Sequence, residues 1–156
     1  KYEFYEQLVA QAAATLDGHR NWVSNLATIS SMLHHSYRDS DDEKLQAVNW
    51  TGFYLTDRQS NSPNKLTLGP YQGKASLCGV AVNQRLPQVV GDVSTRDAYI
   101  TCDPNTASEI VVPLIANGGK ILGVLNVDST KKFAFNEEDK IGLEALAQMV
   151  VDASDW

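Results

Sequence analysis

The chain has 156 residues, a formal net charge of -6, and 43% hydrophobic against 21% charged residues. This length fits one domain able to bury about two-thirds of its unfolded surface around a single core, and the composition excludes disordered and fibrous classes. An acidic balance without clustered Lys and Arg speaks against nucleic acid, so a small or neutral partner is expected.

In chain order, apolar residues from Phe4 to Leu16 recur at the three-and-four spacing of a helix with one buried face, and Gly18 ends it. A second helix is expected over Trp22 to Tyr37, with Trp22, Leu26, Ile29, Leu33 and Tyr37 on one face. The stretch "RDSDDEK" lacks any apolar period and reads as a solvated connection. From Val48 the pattern changes to alternation. "VNWTGFYLTD" and "KLTLGP" flank the turn-rich "RQSNSPN" and predict an antiparallel pair. "LPQVVGDV", "SEIVVPLIA" and "KILGVLNVD" are three further strand candidates, the last two joined by the tight-turn signal "NGGK". Asn136 is the expected N-cap of a closing helix that turns Ile141, Leu143, Leu146, Met149 and Val150 inward. Helices kept apart from strands predict an α+β class: a central antiparallel sheet with the N-terminal helices and the C-terminal helix packed mainly on one face. No boundary divides residues 1–156, so they are expected to form one domain.

The longest apolar stretches, such as Ile110 to Ala116, are far short of the roughly 20 residues of a membrane helix. Glu3 and Glu6 interrupt any apolar core of a signal peptide, and no membrane partner is expected. In the cytoplasmic compartment this implies, the two cysteines read as thiols, and a transient disulfide between them would mean catalysis or redox sensing. Cys102 could be a small buried hydrophobe, but Asp103, Pro104 and Asn105 are turn formers that place it on a loop. Cys78, in "SLCGVAV", is as well explained by structure as by chemistry. The two obey no C-x-x-C spacing and the three histidines fit surface positions, so no metal is expected.

Glu109 and Asp128 stand at strand ends that the short turn should bring together. They read either as solvated strand ends or as a carboxyl pair in a pocket, where like charge would keep one protonated as a proton donor. Asn126, two residues before Asp128 and on the same strand face, could add hydrogen bonds without charge. Trp50 and Tyr54, four apart on a strand, share a face and are either core aromatics or the wall of a pocket for an apolar or cationic group. No G-x-S-x-G, G-x-G-x-x-G or G-x-x-x-x-G-K-[ST] occurs, so hydrolase, dinucleotide and P-loop readings lack support.

Taken together, "NWTGFYL", "LGPYQGK", "CGVAV", "YITCD", "SEIVVPL" and "GVLNVDST" appear in an order that resembles the free methionine-R-sulfoxide reductases, which are single GAF domains. The resemblance runs from about Trp22 into the last helix. It implies that Cys102 attacks the sulfur of free methionine-(R)-sulfoxide and is left as a sulfenic acid. A second cysteine then condenses with it to a disulfide that thioredoxin reduces, with no cofactor. It further implies that Glu109 and Asp128, with Asn126 beside them, hold the substrate ammonium or protonate the departing oxygen, that Trp50 and Tyr54 line the methyl pocket, and that the enzyme forms a homodimer. The chain departs from the family pattern in three places. Tyr99 stands where "HIACD" has a histidine, and Asn126 where an acid is usual. Only "ASL" separates "GPYQGK" from "CG", where the family carries a longer segment with a third, resolving cysteine. Either Cys78 takes the resolving role or a lid loop bearing that cysteine is missing before it, and the second is favoured because such a lid must move. The competing reading is a non-catalytic GAF module that senses a small molecule or redox state through Cys78 and Cys102. The absence of an output domain in a chain of this length speaks against it.

Overall fold

The computed structural model describes residues 1–57, 65–74, 86–95 and 103–156. Its elements follow in chain order: helices α1 (Tyr2–Leu16), α2 (Trp22–Arg38) and α3 (Glu43–Gln46), strands β1 (Val48–Thr56), β2 (Leu66–Gly73), β3 (Gln88–Val90), β4 (Ser108–Ile115) and β5 (Ile121–Ser129), then helix α4 (Glu137–Asp152). The strands form one sheet in the order β2-β1-β5-β4-β3, with every described neighbour antiparallel.

The alternation of β1, β4 and β5 gives the sheet two unlike faces. Phe53, Ile110, Val112, Leu114, Leu125 and Val127 point into the main core, which also takes residues from all four helices, among them Leu8, Leu26, Leu33, Leu45 and Leu146. Trp50, Tyr54, Leu66, Val111 and Val124 form a separate small cluster on the opposite face, to which no helix contributes. The expected one-sided α+β arrangement is therefore what these residues build. No helix among the described residues is long and apolar enough to cross a membrane.

Local chemistry sets the element ends. The Asn136 side chain accepts from the Glu138 and Asp139 backbone N–H groups at 3.0 and 3.3 Å, while Asp139 accepts from the Asn136 N–H at 2.8 Å, a capping box that contributes about 1 kcal/mol. The other Asp139 oxygen accepts from the Tyr5 hydroxyl at 2.8 Å, which lies 2.9 Å from the Tyr37 hydroxyl, so one buried network joins α1, α2 and α4. In "NGGK", Gly118 and Gly119 take φ of 91° and 83°, the left-handed region a tight turn needs.

The structure departs from expectation in four places. "RDSDDEK" contains the start of α3, capped by Asp42, whose side chain accepts from the Lys44 N–H at 2.8 Å; with only Leu45 buried it shows no apolar period. Strand β2 runs on past Pro70 to Gly73, because it is an edge strand whose register shifts at Pro70, where a missing N–H costs no ladder bond. "LPQVVGDV" supplies only the three residues of β3 before Val93–Thr95 turns into a 3-10 helix. Ile141 is 53% exposed, not inward. The buried stripe of α4 runs through Asp139, Leu143, Leu146 and Val150, and Gly142 lies against the Tyr5 ring in its place.

Candidate functional site

The face opposite the helices carries polar groups in fixed rank. Trp50 on β1 opposes Asp128 on β5, Asp128 opposes Glu109 on β4, and Glu109 opposes Val90 on β3. Directly opposed residues of antiparallel strands project to the same face with Cβ atoms about 5 Å apart. Glu109 and Asp128 are each only 2% exposed, so two carboxyl groups stand side by side out of water. The "NGGK" hairpin brings this about, since its register pairs Leu114 with Gly123 and carries Glu109 opposite Asp128 five residues on.

One step along the same face lies Asn126, fully buried and opposed by Gly52 and Val111. Its Nδ2 donates to Asp128 Oδ1 at 3.0 Å. Its Oδ1 is buried and has no hydrogen-bond partner among the described residues, and the same holds for the indole Nε1 of Trp50. An unsatisfied buried donor or acceptor costs on the order of 1–3 kcal/mol, so these two atoms are suited to a polar ligand that fills both.

Three rings wall the rank on its β2 side. Trp50 stacks on Tyr54 with centroids 5.5 Å apart and on Tyr71 at 5.3 Å. The sequence makes room for the indole with two glycines: a Cβ at Gly52 would lie 2.7 Å from Trp50 Cη2, and one at Gly73 would lie 2.6 Å from its Cδ1.

At the Trp50 end, the register of β1 against β5 shifts between Val48 and Trp50, leaving Asn49 in a bulge. The Asn49 Nδ2 donates to Asp103 Oδ2 at 3.0 Å and to Thr106 Oγ1 at 3.2 Å. The Asn105 backbone N–H donates to Asp103 Oδ1 at 2.9 Å. That backbone bond, followed by the Asn49 amide and the charge of Lys74, holds the Asp103 carboxyl below the usual range against the opposing pull of burial.

A GAF domain family model matches residues 7–153. The free methionine-R-sulfoxide reductase of Saccharomyces cerevisiae is 40% identical over 159 residues, covering 96% of this chain and 85% of that protein. The chain belongs to the free methionine-R-sulfoxide reductases, a GAF-domain family. The Escherichia coli member is 36% identical, covering 94% of this chain and 86% of its own. The structure of the Neisseria meningitidis free methionine-R-sulfoxide reductase in complex with its substrate matches with a TM-score of 0.84 and 29% identity, covering 98% of this chain and 89% of that one.

In this reductase fold Trp50, Tyr54, Glu109, Asn126 and Asp128 share one face; the spacing predicts this for Trp50 with Tyr54 and for Asn126 with Asp128, and the strand pairing joins the two groups. Cys78, Cys102 and Tyr99 lie outside the described residues. Among the described residues no group of three His, Cys, Asp or Glu side chains is placed to hold a metal. His19 and His35 are exposed, whereas His34 is half-buried, and burial lowers its pKa. Sequence reasoning missed Tyr71 and Asn49. Tyr71 was legible only with the β1–β2 register in hand, which opposes it to Gly52. The Asn49 bulge left no mark in the alternation.

Proposed function

We propose that this chain is a single-domain cytoplasmic enzyme that reduces free L-methionine-(R)-sulfoxide to methionine. The observation that carries the reading is the buried rank Trp50, Asp128, Glu109 with Asn126 behind it. A sulfoxide oxygen leaves poorly unless it is protonated, so the reaction needs an acid near the attacking thiol. Two desolvated carboxyl groups a cross-strand pair apart disfavour double ionisation and retain a proton between them. The Asn126 amide favours the anion on Asp128, which leaves Glu109 as the proton donor. The stacked Trp50 and Tyr54 offer an apolar wall to the methyl and thioether carbons, and the remaining carboxylate offers charge to the substrate ammonium.

In this reading the Cys102 thiolate forms a bond to the substrate sulfur, the S–O bond breaks with the oxygen protonated, and water attack on the sulfonium-like adduct, or transfer of the hydroxyl, releases methionine and leaves Cys102 as sulfenic acid. The substrate sulfur is reduced by two electrons and the cysteine sulfur is oxidised by two. Cys78, or a third cysteine on a lid segment, displaces water from the sulfenic acid to form a disulfide, and thioredoxin returns both thiols by exchange. No cofactor is required, and a homodimer is the expected assembly.

A thioredoxin-coupled assay with the separate R and S sulfoxides tests the reading. Turnover of the R form that disappears in Cys102→Ser supports it, and N-acylated or peptide-bound sulfoxide should be a poor substrate. Equal rates on free and peptide-bound sulfoxide would refute the site as described. Tight binding without methionine release would mark a ligand-sensing module instead.

A further inference from the structure

We propose that Phe133 is a positioning residue: its ring, seated on Gly91, holds the end of strand β3 and so fixes Val90 as the wall beside Glu109. This inference rests on Glu109 being the proton donor of the reading above. Phe133 combines two features that work against it. It is 64% exposed, so its ring gains little from burial, and its φ of 53° lies in the left-handed region, which is costly for a bulky side chain. Glycine or asparagine would make the same turn with less strain. What the ring does is cover Gly91, where a Cβ would lie 2.4 Å from Phe133 Cδ1 and 2.6 Å from its Cε1.

The strained backbone is held by its surroundings. The Phe133 N–H donates to the Gly91 carbonyl at 2.8 Å, and the Phe133 carbonyl accepts from Lys44 Nζ at 3.0 Å. The flanking residues are tied to the start of β4, where Ser108 Oγ donates to the Lys131 carbonyl at 2.6 Å and accepts from the Ala134 N–H at 3.4 Å. Lys132 adds an ion pair to Asp92 at 2.7 Å. The turn between β5 and α4 is thus fixed to β4, and it grips the chain at Gly91 and Asp92, directly after β3.

Strand β3 depends on that grip. It is three residues long and ends the sheet, with β4 as its partner in the ladder, and short segments of this kind open readily. Its last residue, Val90, is 4% exposed and opposes Glu109, so the two side chains share a face with Cβ atoms about 5 Å apart. Beyond it, the Val93 N–H donates to the Ala107 carbonyl at 3.0 Å. With the ring unseated, Val90 can draw away from β4, and Glu109 loses the wall that holds it at one distance from the departing oxygen. In the proposed reaction the methyl and ammonium groups meet Trp50, Tyr54 and Asp128 on β1 and β5. Binding is therefore spared while proton transfer is slowed.

Steady-state turnover of the full chain, with backbone amide exchange of β3 and Val93 read by NMR, tests the inference. Phe133→Ala should lower kcat about tenfold with KM unchanged, a part of the roughly hundredfold that a 1 Å misplacement costs, and should speed exchange in β3. Phe133→Gly removes the ring while freeing the turn of strain; it should show the same loss, and it decides the matter should the alanine variant not fold. Phe133→Tyr keeps the ring and should keep the parent's kcat. Gly91→Ala unseats the ring from the other side, because an exposed ring can swing into water, and the double change with Phe133→Ala should lose no more than either alone. A parent-like kcat in Phe133→Ala and Phe133→Gly, a raised KM with kcat unchanged, a tyrosine variant as slow as alanine, or additive losses in the double variant would each overturn the inference. Exchange needs no sulfoxide. Unchanged exchange in the variants would overturn the seat of the ring, whereas faster exchange in a chain whose parent never turns over would uphold that seat and sink the reductase reading alone.

Discussion

Gly52→Ala sets two expectations against each other. Replacing glycine in a strand narrows the unfolded ensemble and should stabilise by about 0.4–1 kcal/mol. In this fold the new Cβ would lie 2.3 Å from the Cβ and 2.8 Å from the Cα of Tyr71, and 2.7 Å from Trp50 Cη2. Ordinary carbon contacts lie at about 3.5–4.0 Å, so something must yield by about 1 Å. Tyr71 cannot rotate away, because its own backbone is in the contact and it is Gly52's register partner on β2. Overpacking of this kind costs about 1–3 kcal/mol, which outweighs the entropic gain and leaves a net loss of about 1–2 kcal/mol. The displaced indole belongs to the proposed pocket wall, and a misplacement of about 1 Å there should lower kcat/KM about a hundredfold. Urea unfolding with an unchanged m-value gives the first quantity, and the thioredoxin-coupled assay on folded protein gives the second. A variant as stable and as active as the parent would refute both the close packing of the stack and its place in the site.

Three further outcomes are expected. Gly142→Ala should destabilise by about 2 kcal/mol despite alanine's better helix propensity, because its Cβ would lie 2.1 Å from Tyr5 Cγ and push that hydroxyl off Asp139; thermal melting checks this, and turnover per folded molecule should not change. Burial, with each other's charge and that of Asp139, raises the pKa of Tyr5 and burial raises that of Tyr37. Their folded forms hold protons that the unfolded chain releases above about pH 10, so stability should fall as pH rises through that range. Tyr37→Phe should make the fall shallower in alkaline urea titrations, and a slope equal to the parent's would contradict the network. Asn126→Asp exchanges the donor to Asp128 for a like charge, so the folded state should retain an additional proton and lose stability relative to the parent between about pH 5 and about pH 8. Parallel stability profiles of the two proteins would exclude that coupling.

The strand residues of the proposed site were legible because strand alternation and a two-glycine hairpin fix register with little help from the rest of the chain. Val111 and Val124 fall on the same face as Glu109, Asn126 and Asp128 for the same reason. Register errors arise where the ladder is irregular. Asn49 and Pro70 each occupy an irregularity, so the reach of Asn49 to Asp103 and the opposition of Tyr71 to Gly52 depend on pairings that no local pattern encodes. Helix α3 buries a single residue, Leu45, behind its cap, which carries no period. Ile141 falls outside the buried stripe because Gly142, one residue on, lies against the Tyr5 ring.

Burial of two carboxyl groups, one amide and an indole N–H on a sheet face is costly for folding, and it is tolerable only because the other face of the same strands is a large apolar core. Phe53, Leu125, Val127 and Ile110 anchor β1, β5 and β4 from beneath, so the polar rank above them is held by residues that never meet a ligand. This division accommodates Asn126, fully buried within the rank and without charge. A third carboxyl group in the rank would add to a desolvation cost already borne by Glu109 and Asp128, while an amide keeps a donor 3.0 Å from Asp128 and an acceptor for a ligand without adding charge. In the proposed reaction the acid chemistry therefore falls to Glu109 and Asp128, whose opposition is set by the β4–β5 ladder.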